Sequence, residues 1–252
     1  MERKVARIEK IYSKSYIMPL WQYIIMIYWE VIMKISENTR EVLKNFSTIN
    51  SGIVVKEGKT FRTISAMKNI MAKATVSESY NDFAIYDLSE FLGATSLFED
   101  AEYEFGDSSV VISDANSSMV YFFAAENTVI SPQKDINFPE PEITFTLTQQ
   151  VRDAVGKASA VLGVSDLILE SDGAVVRLSV RDKKNTTSNV FSRIVADGDG
   201  TKYKMNFKIE NLKLLNGDYN VFVSSKNISH FKHSTLDVEY FIALEPDSKY
   251  NA

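Results

Sequence analysis

From Met33 onward the apolar positions recur with two distinct periods. Val42, Leu43, Phe46 and Ile49 fall at helical spacing, and Ser36 stands where an N-cap would. Val151, Val155, Ala158 and Leu162 repeat that spacing over Thr148–Leu162, with Gly163 as a C-terminal stop. Runs rich in β-branched and aromatic residues follow each helix. They predict strands at Gly52–Lys56, Thr60–Ala66, Ile70–Ser77 and Asp82–Tyr86, and again at Asp166–Glu170, Ala174–Arg181, Ser188–Ala196 and Tyr203–Lys208. Glu57-Gly58 and Asp172-Gly173 read as hairpin turns between them.

A second, shorter helix is predicted in each half. Asp87–Leu92 carries a capping-box pattern with Glu90, and Asn211–Leu215 sits in the matching place with Asn211 as its cap. Each half then closes on a similar word, Tyr121-Phe122-Phe123-Ala124-Ala125-Glu126 and Tyr240-Phe241-Ile242-Ala243-Leu244-Glu245. The chain therefore reads as a duplication. Residues 33–130 form one domain and 143–252 a second, joined by the connector 131–142, which holds three of the five prolines. The pattern predicts an α+β fold of two similar domains, each with two helices packed on antiparallel sheets.

Residues 1–32 read as an appendage. They begin basic and polar and run into the apolar stretch Ile17–Met33, which at 17 residues falls short of the roughly 20 a membrane span needs. That stretch supports one alternative, a membrane-anchored or exported β-rich structural protein.

Charge and composition narrow the chemistry. The absence of cysteine excludes disulfides, thiol nucleophiles and cysteine-ligated metals. The net charge is −5, and setting aside the five basic and three acidic residues of 1–32 leaves −7. Such a chain does not coat nucleic acid with its whole surface, although one basic face can still meet it. His230 and His233 lack a third ligand at metal-site spacing and are expected at the surface. No phosphate loop or nucleophile elbow occurs, and Asp197-Gly198-Asp199-Gly200 reads as a turn. No catalytic residue, cofactor or metal is expected.

Several separated segments resemble one family. MKISENTREVLKNFSTINSGI from Met33, FAIYDLSEFLG from Phe83, VISPQKDINFP from Val129 and ALEPDS from Ala243 are similar to words in the sliding clamps of T-even-type bacteriophages. The resemblance runs from Met33 to the C-terminus, and Val180–Val195 departs from it. It implies a DNA-clamp fold and a closed homotrimeric ring around double-stranded DNA. It also implies a non-catalytic processivity factor in the cytoplasm of the infected bacterial host. The expected partners are the replicative DNA polymerase, an ATP-driven clamp loader and late-transcription factors.

On that reading the helices line the hole, and Lys34, Arg40, Lys44, Arg152, Lys157, Lys208 and Lys213 are the DNA-binding candidates. By analogy with clamp rings, Met119, Phe122 and Phe123 on one strand meet Val190, Phe191 and Ile194 of another subunit. A pocket for partner peptides is expected near Val129, Ile130, Pro132, Phe138, Ala243, Leu244 and Pro246.

Overall fold

The structure is a computed structural model, and it describes residues 32–251. Among the described residues three α-helices form, where the apolar periodicity and the capping patterns place them. α1 (Glu37–Ile49) starts at Ser36, whose hydroxyl accepts from the Thr39 amide at 3.3 Å, and it buries Val42, Leu43, Phe46 and Ile49. Each such side chain contributes roughly 1.5–3 kcal/mol on burial. α2 (Leu88–Thr95) starts at Asp87, whose carboxylate accepts from the Glu90 amide at 2.9 Å. α3 (Gln149–Leu162) starts at Thr148 and ends at Gly163, where φ is 64°, a left-handed turn that costs glycine no Cβ clash.

The first half contributes strands β1 (Ile32–Met33), β2 (Ile53–Val55), β3 (Gly58–Ile64), β4 (Ile70–Tyr80), β5 (Phe83–Ile85), β6 (Glu102–Phe105), β7 (Ser109–Ser113) and β8 (Ser118–Phe122). The second contributes β9 (Ile143–Leu147), β10 (Asp166–Asp172), β11 (Val175–Arg181), β12 (Phe191–Asp197), β13 (Lys202–Lys208), β14 (Tyr219–Ser224), β15 (Ile228–His233), β16 (Val238–Ala243) and β17 (Lys249–Tyr250). They build a four-stranded sheet in the order β1-β6-β7-β8 and a five-stranded sheet β12-β11-β10-β13-β17. A six-stranded sheet β3-β4-β16-β15-β14-β9 takes strands from both halves, and β2 pairs with β5 alone.

The six-stranded sheet is the seam between the halves. β4 and β16 run antiparallel from Ile70 opposite Ile242 to Ala74 opposite Val238. One apolar core continues through it, from Phe46 and Tyr103 in the first half to Leu167, Tyr219 and Phe231 in the second.

Two expectations are corrected. Asn211–Leu215 is not an α-helix: a 3-10 turn spans Ile209–Asn211, and the chain leaves helical geometry at Leu212. The reason is tertiary bonding of the groups a helix would pair internally. The Leu215 amide donates to the Tyr240 hydroxyl at 3.1 Å, the Lys213 carbonyl accepts from Asn45 Nδ2 at 3.1 Å, and Leu214 and Leu215 are buried. Glu57-Gly58 is also no hairpin. β2 pairs with β5 and β3 with β4, so the chain changes sheets at Gly58, where φ is 125°. Asp172-Gly173 does join a hairpin, between β10 and β11.

Candidate assembly edges and cation-bearing helices

The helices and the 211–215 segment form a connected row. α2 and the 211–215 segment flank α1, and α3 follows, tied to that segment by Arg152. An open groove between α1 and α2 is lined by Arg40, Lys44, Ser89, Gly93 and Ser96 among others.

The seven DNA-facing candidates differ in how much charge they offer. Lys34 is paired with Asp100, and Arg40 meets Glu37 at 3.1 Å. Lys208 lies 2.5 Å from the buried Asp166 carboxylate, which together with the Lys183 amide holds that acid below the usual carboxylate range despite its burial. Arg152 donates to the Leu215 carbonyl at 2.6 Å and to Asn216 Oδ1 at 3.2 Å. Lys213 is half-buried, not exposed as its place in a helix would have required, and donates to the Thr48 carbonyl. Ser159, also on α3, is buried and donates to the Val164 carbonyl. Lys44 and Lys157 are exposed and make no ion pair among the described residues. The available positive charge is concentrated at Lys44, Lys157 and, partly, Arg40.

Two strands end their sheets with apolar residues outward. β8 closes the four-stranded sheet, and β12 closes the five-stranded one. On β8, Met119 and Tyr121 share the core side with Ile112 and Val110, and the Tyr121 ring packs on Phe91 of α2 at 5.2 Å. Val120 and Phe122 point the other way, 51 % and 73 % exposed. On β12, Phe191 and Arg193 share the core side with Val180 and Leu178 and line a groove against α3, whereas Ile194 points away and is 59 % exposed.

The interface candidates thus divide by side. Phe122 and Ile194 face outward, Val190 is exposed beside α3, Met119 and Phe191 lean on the core, and Phe123 stacks on Phe83 at 5.2 Å. Val120, Val161 and Arg193 belong with these edges and were missed. Strict alternation along Ser118–Phe122 would have found Val120.

The pocket candidates are not brought together. Val129 and Pro132 line an open groove of about 840 Å3 that is mainly polar, with Lys56, Arg62, Glu126 and Asp135 around it. Arg62 of β3 bonds Asp135 at 2.5 Å, strapping the connector to the sheet, and Lys56 bonds Glu126 just ahead of the connector at 2.6 Å. Ile130 is exposed next to that groove's rim, its carbonyl held by Asn50. Phe138 instead packs on His230 and Phe241, with ring centroids 5.4 and 6.2 Å away. Leu244 is buried, while Ala243 and Pro246 are exposed.

The histidines correct another expectation. Neither is exposed, because the rings of Phe138 and Phe241 cover His230 and that of Tyr219 packs on His233. His233 is buried and bonded to the Asn216 carbonyl at 2.8 Å. His230 stacks on Phe241 at 4.5 Å and meets Glu239 at 2.9 Å. Burial lowers the His230 pKa and outweighs the opposing pull of Glu239. The unfolded chain takes up this proton near pH ~6.5 and the folded chain resists it, so stability falls as pH drops through that value. His230→Gln should flatten this slope in unfolding titrations between about pH 7.5 and 5.5; an unchanged slope would assign it to other groups. Among the described residues no His, Cys, Asp or Glu cluster is placed to hold a metal ion. No helix there is long and apolar enough to cross a membrane, and Ile17–Val31 lies outside the described residues.

Comparison with known proteins supplies the family. The family described as DNA polymerase processivity factor matches residues 36–130, and the family described as gp45 sliding clamp, C terminal, matches 145–246. The sliding clamp of Vibrio phage KVP40 is 35 % identical over 84 % of this chain and 99 % of its own length. The sliding clamp of Enterobacteria phage T4 is 30 % identical over 87 % of this chain and all of its own length. Among solved structures, A. fulgidus PCNA with the C-terminal region of FEN-1 bound superposes with a TM-score of 0.65 at 13 % identity, over 87 % of this chain and 99 % of that one. The DNA polymerase III subunit beta of Pseudomonas aeruginosa gives 0.57 at 9 % identity, over 86 % of this chain and 66 % of that one. At such identities these two likenesses speak for the fold alone. Two family matches in chain order, and phage relatives aligned over nearly their whole length, establish that the chain belongs to the sliding clamp family of DNA polymerase processivity factors.

Proposed function

We propose that three copies of this chain close head to tail into a ring around duplex DNA and tether the replicative polymerase to it, without catalysis of their own. One observation carries the reading. The halves repeat, so β16 of the second corresponds to β8 of the first, and β4 corresponds to β12. Within the chain β16 and β4 are hydrogen-bonded to each other; their counterparts β8 and β12 are both unpaired edges with exposed apolar residues. Pairing β8 with β12 of the next copy repeats the internal seam, satisfies both rows of backbone groups and leaves no free end when the rotation closes. The row of helices then faces the hole.

The grip is topological first and electrostatic second. A body of net charge −7 offers the hole chiefly Lys44 and Arg40, and α2 contributes no basic residue. Contacts of that kind are to phosphates, carry no base information and permit sliding. The groove under the connector, holding Val129 and Pro132, is the place for a partner peptide. An ATP-driven loader and the late-transcription machinery are further partners, and the host cytoplasm is the compartment. The reading is tested by polymerase run length on primed DNA with a clamp loader, with and without the protein. Longer products only with the protein support it, and equal products with protein demonstrably loaded contradict it.

A further inference from the structure

The internal seam carries a polar pin on its helix side. The Tyr240 hydroxyl donates to Asn45 Oδ1 at 2.7 Å, and Asn45 Nδ2 donates to the Lys213 carbonyl at 3.1 Å. Each part has a counterpart at the free edges. Tyr121 opens the closing word of the first half as Tyr240 does that of the second. α2, begun at Asp87, holds the place of the segment begun at Asn211. Asn45 lies nine residues after the cap of α1, and Lys157 lies nine residues after the cap of α3. A neutral amide at the seam is replaced by a cation at the joint.

We infer that, when β8 of one copy pairs with β12 of the next, Lys157 of the partner subunit places its ammonium between the Tyr121 hydroxyl and the Glu90 carboxylate and latches the joint ionically. This rests on the ring reading above. Several observations support it. Lys157 is exposed, without an ion pair, and lines an open, mainly apolar groove of about 580 Å3 between α3 and β12 with Val161 and Arg193. At the seam the 211–215 segment is bonded to α1 and its Leu214 and Leu215 are buried, whereas the α3–β12 groove stands open. Glu90 is exposed and makes no ion pair among the described residues. Burial raises the Tyr121 pKa, and the charges of Glu90 and then Asp87 raise it further. The Tyr121 hydroxyl already reaches the Asp87 carbonyl at 3.3 Å, on the side where α2 meets β8. Arg193, on the same side of β12, adds a second cation toward the acidic α2. Lysine suits the position because its stem lies along the apolar groove while its head reaches the acid.

Charge reversal tests this in the full chain. Sedimentation over a concentration series reads the ring–monomer equilibrium, and circular dichroism checks folding. Lys157→Glu should shift dissociation to about tenfold higher protein concentration, since like charges face each other at every joint. Adding Glu90→Lys should restore assembly toward the starting value. Raised salt should loosen the unmodified ring more than the Lys157→Ala ring. If the unmodified chain never assembles, the ring reading fails. If it assembles and Lys157→Glu changes DNA retention alone, or Glu90→Lys does not restore the joint, the ring stands and the latch is overturned.

Discussion

Phe122→Asp is expected to leave the chain folded and to abolish the ring. Phe122 is 73 % exposed at the free edge of β8, on the side away from α2, so a single copy loses almost no packing with it. In the proposed joint the same side chain would be covered together with Val120 and Ile194. Losing an aromatic anchor there forfeits about 2–3 kcal/mol of burial per joint, and an unpaired carboxylate among apolar groups adds several more. Three joints share one closure, so the effects multiply. Sedimentation should show monomer at concentrations where the unmodified chain is trimeric, and polymerase run length should fall to its clamp-free value. A Phe122→Asp chain that still sediments as a trimer would place the joint elsewhere.

Tyr240→Ala is expected to cause the largest loss of stability, about 4–6 kcal/mol. Its ring is fully buried in the six-stranded sheet, and removing an aromatic of that kind costs about 3–5 kcal/mol. Its hydroxyl pins three elements: it donates to Asn45 on α1 and accepts from the Leu215 amide, which would be left buried without a partner. Burial pushes the phenol up to about 12, so it remains a donor throughout the working pH range. Tyr240→Phe separates the contributions, because it keeps the ring and should lose only about 1–3 kcal/mol. Urea unfolding in the monomeric Phe122→Asp background removes assembly from the comparison. If Tyr240→Phe unfolds like the parent, the hydroxyl is not what holds the 211–215 segment out of a helix.

That segment shows where sequence reading stops. Local signals were enough for α1, α2 and α3, because Ser36, Asp87, Thr148 and Gly163 announce their own ends and the apolar stripes are long. They were enough for most strands too. They failed at Asn211–Leu215, where Leu212, Leu214 and Leu215 mimic a short helix while Asn45 and Tyr240, distant in sequence, claim the backbone groups. Glu57-Gly58 failed likewise, since local turn chemistry does not tell a hairpin from a change of sheet. The candidate sites were legible as residue types but not as sides or partners. Nothing local to Lys34, Lys208 or Lys213 announces Asp100, Asp166 or the Thr48 carbonyl. The side of β8 was readable from alternation alone, and the grouping of Met119, Phe122 and Phe123 overlooked it.

A chain that holds DNA by encircling it should stay on a closed circle and leave a cut one. Protein loaded on nicked circular DNA is passed through gel filtration at raised salt, before and after the circle is cut once. Salt screens phosphate contacts such as those of Lys44 but cannot unthread a closed ring. Protein should stay with the circle at salt where free protein shows no DNA binding, and should run off when the circle is cut. Loss from intact circles at the salt that abolishes simple binding, or retention on cut DNA with open ends, would contradict encirclement.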